Sequence, residues 1–276
     1  MPSTPEPAAT VILLRDSAVS PEVLMLERHA RSTVLPDLYV FPGGRVDDQD
    51  RSLTSRLDGF SVHDLRLEVP HMDREEVEAF LVAAIRETFE EAGILLARRR
   101  GSPDFLEPEA VAPLLRHQLE LQSGRMSFGE LIEDENLELA AECLTVHGHW
   151  ITPEVSPRRF DTLFFAAITP AGQTARHDGI EVSSHTWIRP EDALEEMHRG
   201  QRRIIFPTAC NLETLTGFTD AQQAFEGSRK RRVVPVVPKL VENAGKRKLV
   251  IPREAGYSTT EDDSLAGIIP KPQPRT

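Results

Sequence analysis

The residues best placed to do chemistry lie in one short segment, Glu78-Ala-Phe-Leu-Val-Ala-Ala-Ile-Arg86-Glu87-Thr-Phe-Glu90-Glu91-Ala-Gly93-Ile94. Read as a helix, each residue advances about 100°, so Glu87, Glu90 and Glu91 share one face. Val82, Ile85, Phe89 and Ala92 share the opposite one, and Ala83 leaves room beside the acidic stripe. Like charges at this spacing repel, costing about a few tenths of a kcal/mol per pair on a solvated helix. The stripe also sits toward the helix C-terminus, where the macrodipole disfavours negative charge. Folding alone does not reward such a stripe. A hard divalent cation does, because magnesium and manganese prefer oxygen ligands. Arg86, four residues before Glu90, can pair with it and fix its rotamer. The competing reading is an ordinary solvated acidic face.

The elements around the stripe follow from periodicity and turn residues. Asp73 with Glu76 three positions on forms a capping-box pattern, and Gly93 supplies a left-handed stop. Strands are expected over Ala9–Arg15, Val23–Arg28 and Leu38–Phe41, the last stopped by Pro42-Gly43-Gly44. Residues 48–72 read as a polar insertion with one short helix near Val62–Leu67. Helices are expected over 107–121, 127–143, Glu191–His198 and Asn211–Phe225. Further strands are expected over Thr145–Ile151, Arg159–Ile168, His185–Ile188, Val233–Val237 and Lys246–Ile251. Short strands mixed with helices, without regular alternation, favour an α+β or sandwich arrangement over a doubly wound parallel sheet.

The spacing Arg-Glu-x-x-Glu-Glu-x-Gly-apolar, with Glu78 eight residues ahead of Arg86, resembles the Nudix box. Thr88 stands where that family usually has an aliphatic residue. Upstream, Tyr39-Val-Phe-Pro-Gly43-Gly44-Arg45-Val46 is similar to the Phe-Pro-Gly-Gly turn of Nudix proteins. In an undivided box a glycine would stand at position 72, which is Met, so segment 48–72 splits the box. Long insertions between fixed ends are thermodynamically cheap. The split, the run 83–96, Arg159-Phe-Asp-Thr-Leu-Phe-Phe165 and Trp187-Ile-Arg-Pro190 resemble the branch related to a peroxisomal coenzyme A diphosphatase. The likeness spans about residues 8–220.

The resemblance implies a Nudix-type α/β/α sandwich with a mixed sheet, an insertion within the Nudix loop and extra helices. It implies magnesium or manganese held by Glu87, Glu90, Glu91 and a main-chain carbonyl of Gly44 or Gly43. It implies a general base in Glu90 or Glu91, with Glu181 as the alternative from a separate loop, and Arg86 as a further catalytic residue. Gly43, Arg45 and Arg159 are the candidate substrate-binding positions: glycine lets the backbone approach closely, and an arginine grips phosphate bidentately. The expected reaction is metal-dependent hydrolysis of the diphosphate linkage in a nucleotide-derived small molecule, with coenzyme A or acyl-CoA as first substrate. ADP-ribose or another nucleoside diphosphate derivative is the alternative, as is a catalytically silent nucleotide-binding module.

Composition narrows the classes. A net charge of -12 argues against nucleic acid and acidic membranes as partners. No apolar run has spanning length, no basic-then-apolar leader opens the sequence, and two cysteines make no disulfide framework. A cytoplasmic location is therefore expected. His147-Gly-His149 places two imidazoles on one strand face, but no third ligand accompanies them. Ser17, Ser20 and Ser32 lack a nucleophile motif. The expected layout is a loose 1–8, a catalytic domain over 9–252 containing the 48–72 insertion and a helical region at 105–143, and a polar tail over 253–276, disordered after Tyr257. The insertion and the extra helices are candidates for a substrate lid or a homodimer surface.

Overall fold

The computed structural model describes residues 3–29, 37–57, 72–177, 179–244 and 246–263. A mixed sheet runs in the order β10 (Pro235–Val236), β7 (Thr145–Ile151), β8 (Phe160–Ile168), β1 (Glu6–Arg15), β2 (Glu22–Arg28) and β3 (Tyr39–Val40). Strand β4 (Gly43–Arg45) pairs with β1, and β9 (Val182–Ile188) pairs with β2. The β1–β8 and β10–β7 pairs are parallel and the others antiparallel.

Alternation along the central strands makes two cores. Ala9, Val11 and Leu13 of β1, Leu24 and Leu26 of β2, and Leu163, Phe165 and Ala167 of β8 face one layer. Ile12, Leu14, Val23, Met25, Phe164 and Ala166 face the other. With a period of two, each strand feeds both layers, and so must be covered on both faces. The first layer is closed by helix α2 (Arg74–Ala92). The second is closed by residues of α6 (Pro190–His198), α7 (Phe206–Glu213) and α8 (Ala221–Lys230). This is the expected α+β sandwich.

Several elements differ from the expectation, each for a local reason. The 107–121 helix is broken into α3 (Pro108–Val111), a 3-10 turn over Ala112–His117 containing Pro113, and α4 (Gln118–Gln122); a proline removes a helical donor. The 127–143 helix is only α5 (Phe128–Asp134). Asn136 turns left-handed at φ 50, and Leu137–Leu139 becomes β6, paired with the unforeseen β5 (Ala97–Arg99). The Asn211–Phe225 helix is two helices, α7 and α8, separated at Gly217, where φ is 80, and restarted by the cap Asp220. The insertion carries a helix that periodicity did not reveal, α1 (Asp48–Ser52), whereas the helix expected near Val62–Leu67 falls outside the described residues. The start of the expected tail is packed: Ala255 and Tyr257 are buried. Strand β11 (Lys239–Asn243) pairs with β12 (Lys246–Val250), which pairs with β13 (Glu261–Asp262). Among the described residues no helix is long and apolar enough to cross a membrane.

Candidate active site

Helix α2 begins and ends as its caps dictate. Asp73 accepts the Glu76 N–H at 2.9 Å while Glu76 accepts the Asp73 N–H, and Gly93 closes the helix at φ 67. The last turn is held from outside as well. Gln118 donates its amide to the carbonyls of Phe89 and Glu90, and Gln122 donates to Glu90. These donors, absent from any motif, occupy carbonyls that a helix end leaves open.

The stripe that reads as a solvated face in a helical projection is enclosed. Arg86 is 2% and Glu91 6% exposed, and the side chains of Glu87 and Glu90 are 14% and 12% exposed. Its cover is the Phe-Pro-Gly-Gly turn. The Gly43 N–H donates to Glu91 at 2.9 Å, and a Cβ on Gly44 would stand 2.3 Å from the Glu87 carboxylate. A Cβ on Gly43 would stand 2.4 Å from the Ala9 carbonyl of β1. Both glycines are thus required by close approach, one to the sheet and one to a charged group.

Arg86 is the hub. Its Nη1 donates to Glu87 at 2.8 Å and to Glu90 at 3.4 Å, so the expected pairing with Glu90 is the longer of the two. Its Nε and Nη2 grip Asp50 at 2.8 and 2.9 Å, and Nη2 also donates to the Arg45 carbonyl. Asp47 lies 3.9 Å away. One guanidinium therefore donates to three carboxylates, with Asp47 outside hydrogen-bond range. Burial pushes Glu90 up to about 7, against the pull of Arg86. Burial, reinforced by Glu87, raises Glu91 well above the carboxylate range, and burial raises Glu87 in spite of Arg86.

Glu181 is exposed just before β9, close enough to raise both Glu87 and Glu91 electrostatically, while Arg28 acts on Glu91 in the opposite sense. The structure thus brings Gly43, Gly44, Arg86, Glu87, Glu90, Glu91 and Glu181 into one neighbourhood. Arg45 contributes its carbonyl there, but its side chain pairs with Glu6 at 3.3 Å and is 58% exposed. Arg159 is buried, and donates to the carbonyls of Thr152 and Ser3. His147 bonds Ser228 and Thr214, and His149 bonds Asp161, so the two imidazoles take separate partners. Asp50 is the residue that sequence reasoning missed, since it belongs to a segment without periodicity and meets Arg86 only in the fold.

Among the described residues no three His, Cys, Asp or Glu side chains converge into a finished metal cage. In the present arrangement Arg86 and the Gly43 N–H occupy carboxylate oxygens of the stripe. The donor set still fits a hard cation: all oxygen, enclosed, anionic in excess of its fixed positive charge, and faced by a side-chain-free backbone.

Residues 60–215, more than half of the chain, match the NUDT19 Nudix domain. The chain is 31% identical over 230 residues to the acyl-coenzyme A diphosphatase NUDT19 of Xenopus laevis, covering 71% of this chain and 60% of that protein. It is 28% identical over 210 residues to the human protein of that name, covering 63% and 54%. It is 24% identical over 263 residues to a putative nudix hydrolase 7 of Caenorhabditis elegans, covering 94% and 76%. A NUDIX hydrolase from Alicyclobacillus acidocaldarius has a similar crystal structure, with TM-score 0.65, 28% identity, and coverage of 81% of this chain and 96% of that one.

Proposed function

The chain belongs to the Nudix hydrolases, in the group of the NUDT19 Nudix domain, and from that premise we propose that it hydrolyses the diphosphate linkage of coenzyme A or an acyl-coenzyme A with magnesium or manganese. The observation that carries the reading is the enclosure of Glu87, Glu90 and Glu91 against Gly43 and Gly44, with burial raising all three carboxyls. Isolated buried carboxylates are costly, and enclosing three together is rewarded by a cation.

Glu87, Glu90, Glu91 and the Gly44 or Gly43 carbonyl are the residues that would hold the ion. Its contribution when bound is positive charge against the diphosphate oxygens and a lowered pKa for water. Glu90 or Glu91 is the candidate to take the proton of the attacking water, and Glu181, which lies outside the ion-binding set, is the alternative base. Water adds to one phosphorus, the bridging P–O bond breaks, and the other phosphate leaves with the bond's electron pair. Arg86 keeps Glu87 and Glu90 in place. Gly43 orients Glu91, and the exposed Arg45 is available to the outer phosphate. The acidic surface is consistent with a small-molecule substrate rather than nucleic acid. The thiol of Cys143 is pushed by burial up to about 12, and that of Cys210 is also raised, which leaves both poor nucleophiles.

The test is a panel of coenzyme A, acyl-coenzyme A and ADP-ribose with magnesium in heavy-oxygen water, with products read by mass spectrometry. The expected products from coenzyme A are 3′-phosphoadenosine 5′-phosphate and phosphopantetheine, the label marking the phosphorus attacked. Intact coenzyme A beside turnover of ADP-ribose would replace the substrate. No magnesium-dependent turnover of any of them would leave a nucleotide-binding module.

A further inference from the structure

The segment that splits the box ends its first helix against the catalytic helix. Asp50 on α1 is completely buried, and its carboxylate has two tasks. Oδ2 accepts the Asp47 N–H at 2.7 Å, closing the capping box of α1. Oδ1 and Oδ2 together accept Nε and Nη2 of Arg86. A guanidinium is a rigid planar fork, so gripping one edge fixes the direction of the remaining nitrogen. That nitrogen, Nη1, is the one shared between Oε1 of Glu87 and Oε2 of Glu90.

We propose that Asp50 is a positioning residue for the cation site: by holding Arg86 edge-on, it limits the arginine to one oxygen of each neighbouring glutamate and leaves the other oxygens to a divalent ion. The inserted segment thereby acts on the chemistry from outside the box motif. The inference rests on the reading of Glu87, Glu90 and Glu91 as metal-binding. Without the Asp50 charge, Arg86 is free to fork onto both oxygens of Glu87 or Glu90 and compete with the ion. Loss of a nearby negative charge also weakens attraction for the ion. Both effects have the same sign.

The experiment measures manganese binding to the full chain by calorimetry without substrate, together with kcat and KM for coenzyme A. The proteins are the unaltered chain, Asp50→Asn and Asp47→Asn. Asn keeps the shape at position 50 but presents an amide donor to a donor. At position 47 it keeps a good cap and removes a charge 3.9 Å from Arg86. Asp50→Asn is expected to bind manganese at least tenfold more weakly and to lose at least tenfold in kcat, with KM within threefold. Asp47→Asn is expected to stay within threefold throughout. Folded Asp50→Asn with unchanged manganese affinity overturns the inference while leaving the metal reading intact. An unaltered chain that binds no manganese overturns both. If Asp50→Asn does not fold, the Arg86 Nε–H resonance of the unaltered chain decides. Held by Asp50, it stays protected and in place as magnesium is added. Its movement or loss of protection on magnesium addition overturns the inference.

Discussion

On the α6–α8 side of the sheet, His147 is 1% exposed and neutral, because burial drives its pKa down to about 3. Its ring nitrogens meet the hydroxyls of Ser228 and Thr214, each at 2.8 Å. Nearby, the Trp150 indole donates to the Tyr257 hydroxyl, which donates to Asn211 Oδ1. On the α2 side, the enclosed groups are carboxylates crowded around one guanidinium. The first cluster consists of neutral groups bonded to one another, so although the Asn211 Nδ2 lacks a partner among the described residues, it holds no charge for a ligand to offset. The second holds charge that its own residues do not balance. Both clusters are enclosed, and the difference lies in whether the enclosed groups carry charge. This separates a structural polar cluster from a functional one.

The sharpest way to break that contrast is to remove one charge from the acidic cluster. Glu91→Gln keeps the shape and an acceptor for the Gly43 N–H. It should cost on the order of 1000-fold or more in kcat with magnesium, because a cation ligand is lost. The melting temperature of the metal-free protein should hold or rise, since a buried charge disappears. A variant that melts earlier yet turns over normally would make Glu91 structural.

The mirror experiment is His147→Phe. It removes the ring partners of the Ser228 and Thr214 hydroxyls, which keep their bonds to the Ala224 and Asn211 carbonyls, at a cost of about 0.5–1.5 kcal/mol per lost hydrogen bond. Denaturant unfolding should show that loss, while kcat per folded molecule stays unchanged. A fall in kcat without loss of stability would tie this cluster to the chemistry.

The two clusters also predict opposite pH slopes in chelator. Glu90 has a folded pKa raised to about 7 from 4.5. Its contribution is present below about 4.5 and is lost as pH rises through 7. His147 is depressed from 6.5 to about 3, so its contribution is present above 6.5 and is lost as pH falls toward 3. Each slope amounts to at most a few kcal/mol. Subtracting the Glu90→Gln unfolding curve from that of the unaltered chain should isolate a difference that falls between pH 5 and 8. Subtracting His147→Phe should isolate one that rises between pH 4 and 6.5. Two slopes of the same sign would contradict the contrast.

What was legible in the chain follows the same division. The α2 helix, its caps Asp73 and Gly93, and the central strands could be read because period and capping are local signals. The glutamates could be singled out because like charges three and four residues apart have no local justification. Asp50, Gln118 and Gln122 could not, because each meets α2 through contacts 28 to 36 residues distant in sequence. The enclosure of the stripe was missed for the same reason: a helical projection shows a face without showing what covers it. The late helices were misjudged where a proline, a left-handed Asn136 or Gly217 cuts a continuous apolar pattern.

The two arginines expected at the substrate give the smallest effect and the finest distinction. Arg159 is buried, with its donors on the carbonyls of Thr152 and Ser3, so Arg159→Ala strands those acceptors and should lower stability by about 1–3 kcal/mol. Among the described residues the Arg45 side chain pairs with Glu6 at the surface, and an exposed pair contributes at most about 1 kcal/mol. Arg45→Ala should therefore leave unfolding within about 0.5 kcal/mol of the parent. If its side chain swings from Glu6 to a substrate phosphate, KM for coenzyme A should rise by about threefold to tenfold at unchanged kcat, the mark of binding lost equally in ground and transition states. Glu6→Gln should then lower KM, because it releases the same arginine. An unchanged KM in both variants would confine Arg45 to its carbonyl, which Arg86 already uses, and would place phosphate recognition elsewhere around the acidic cluster.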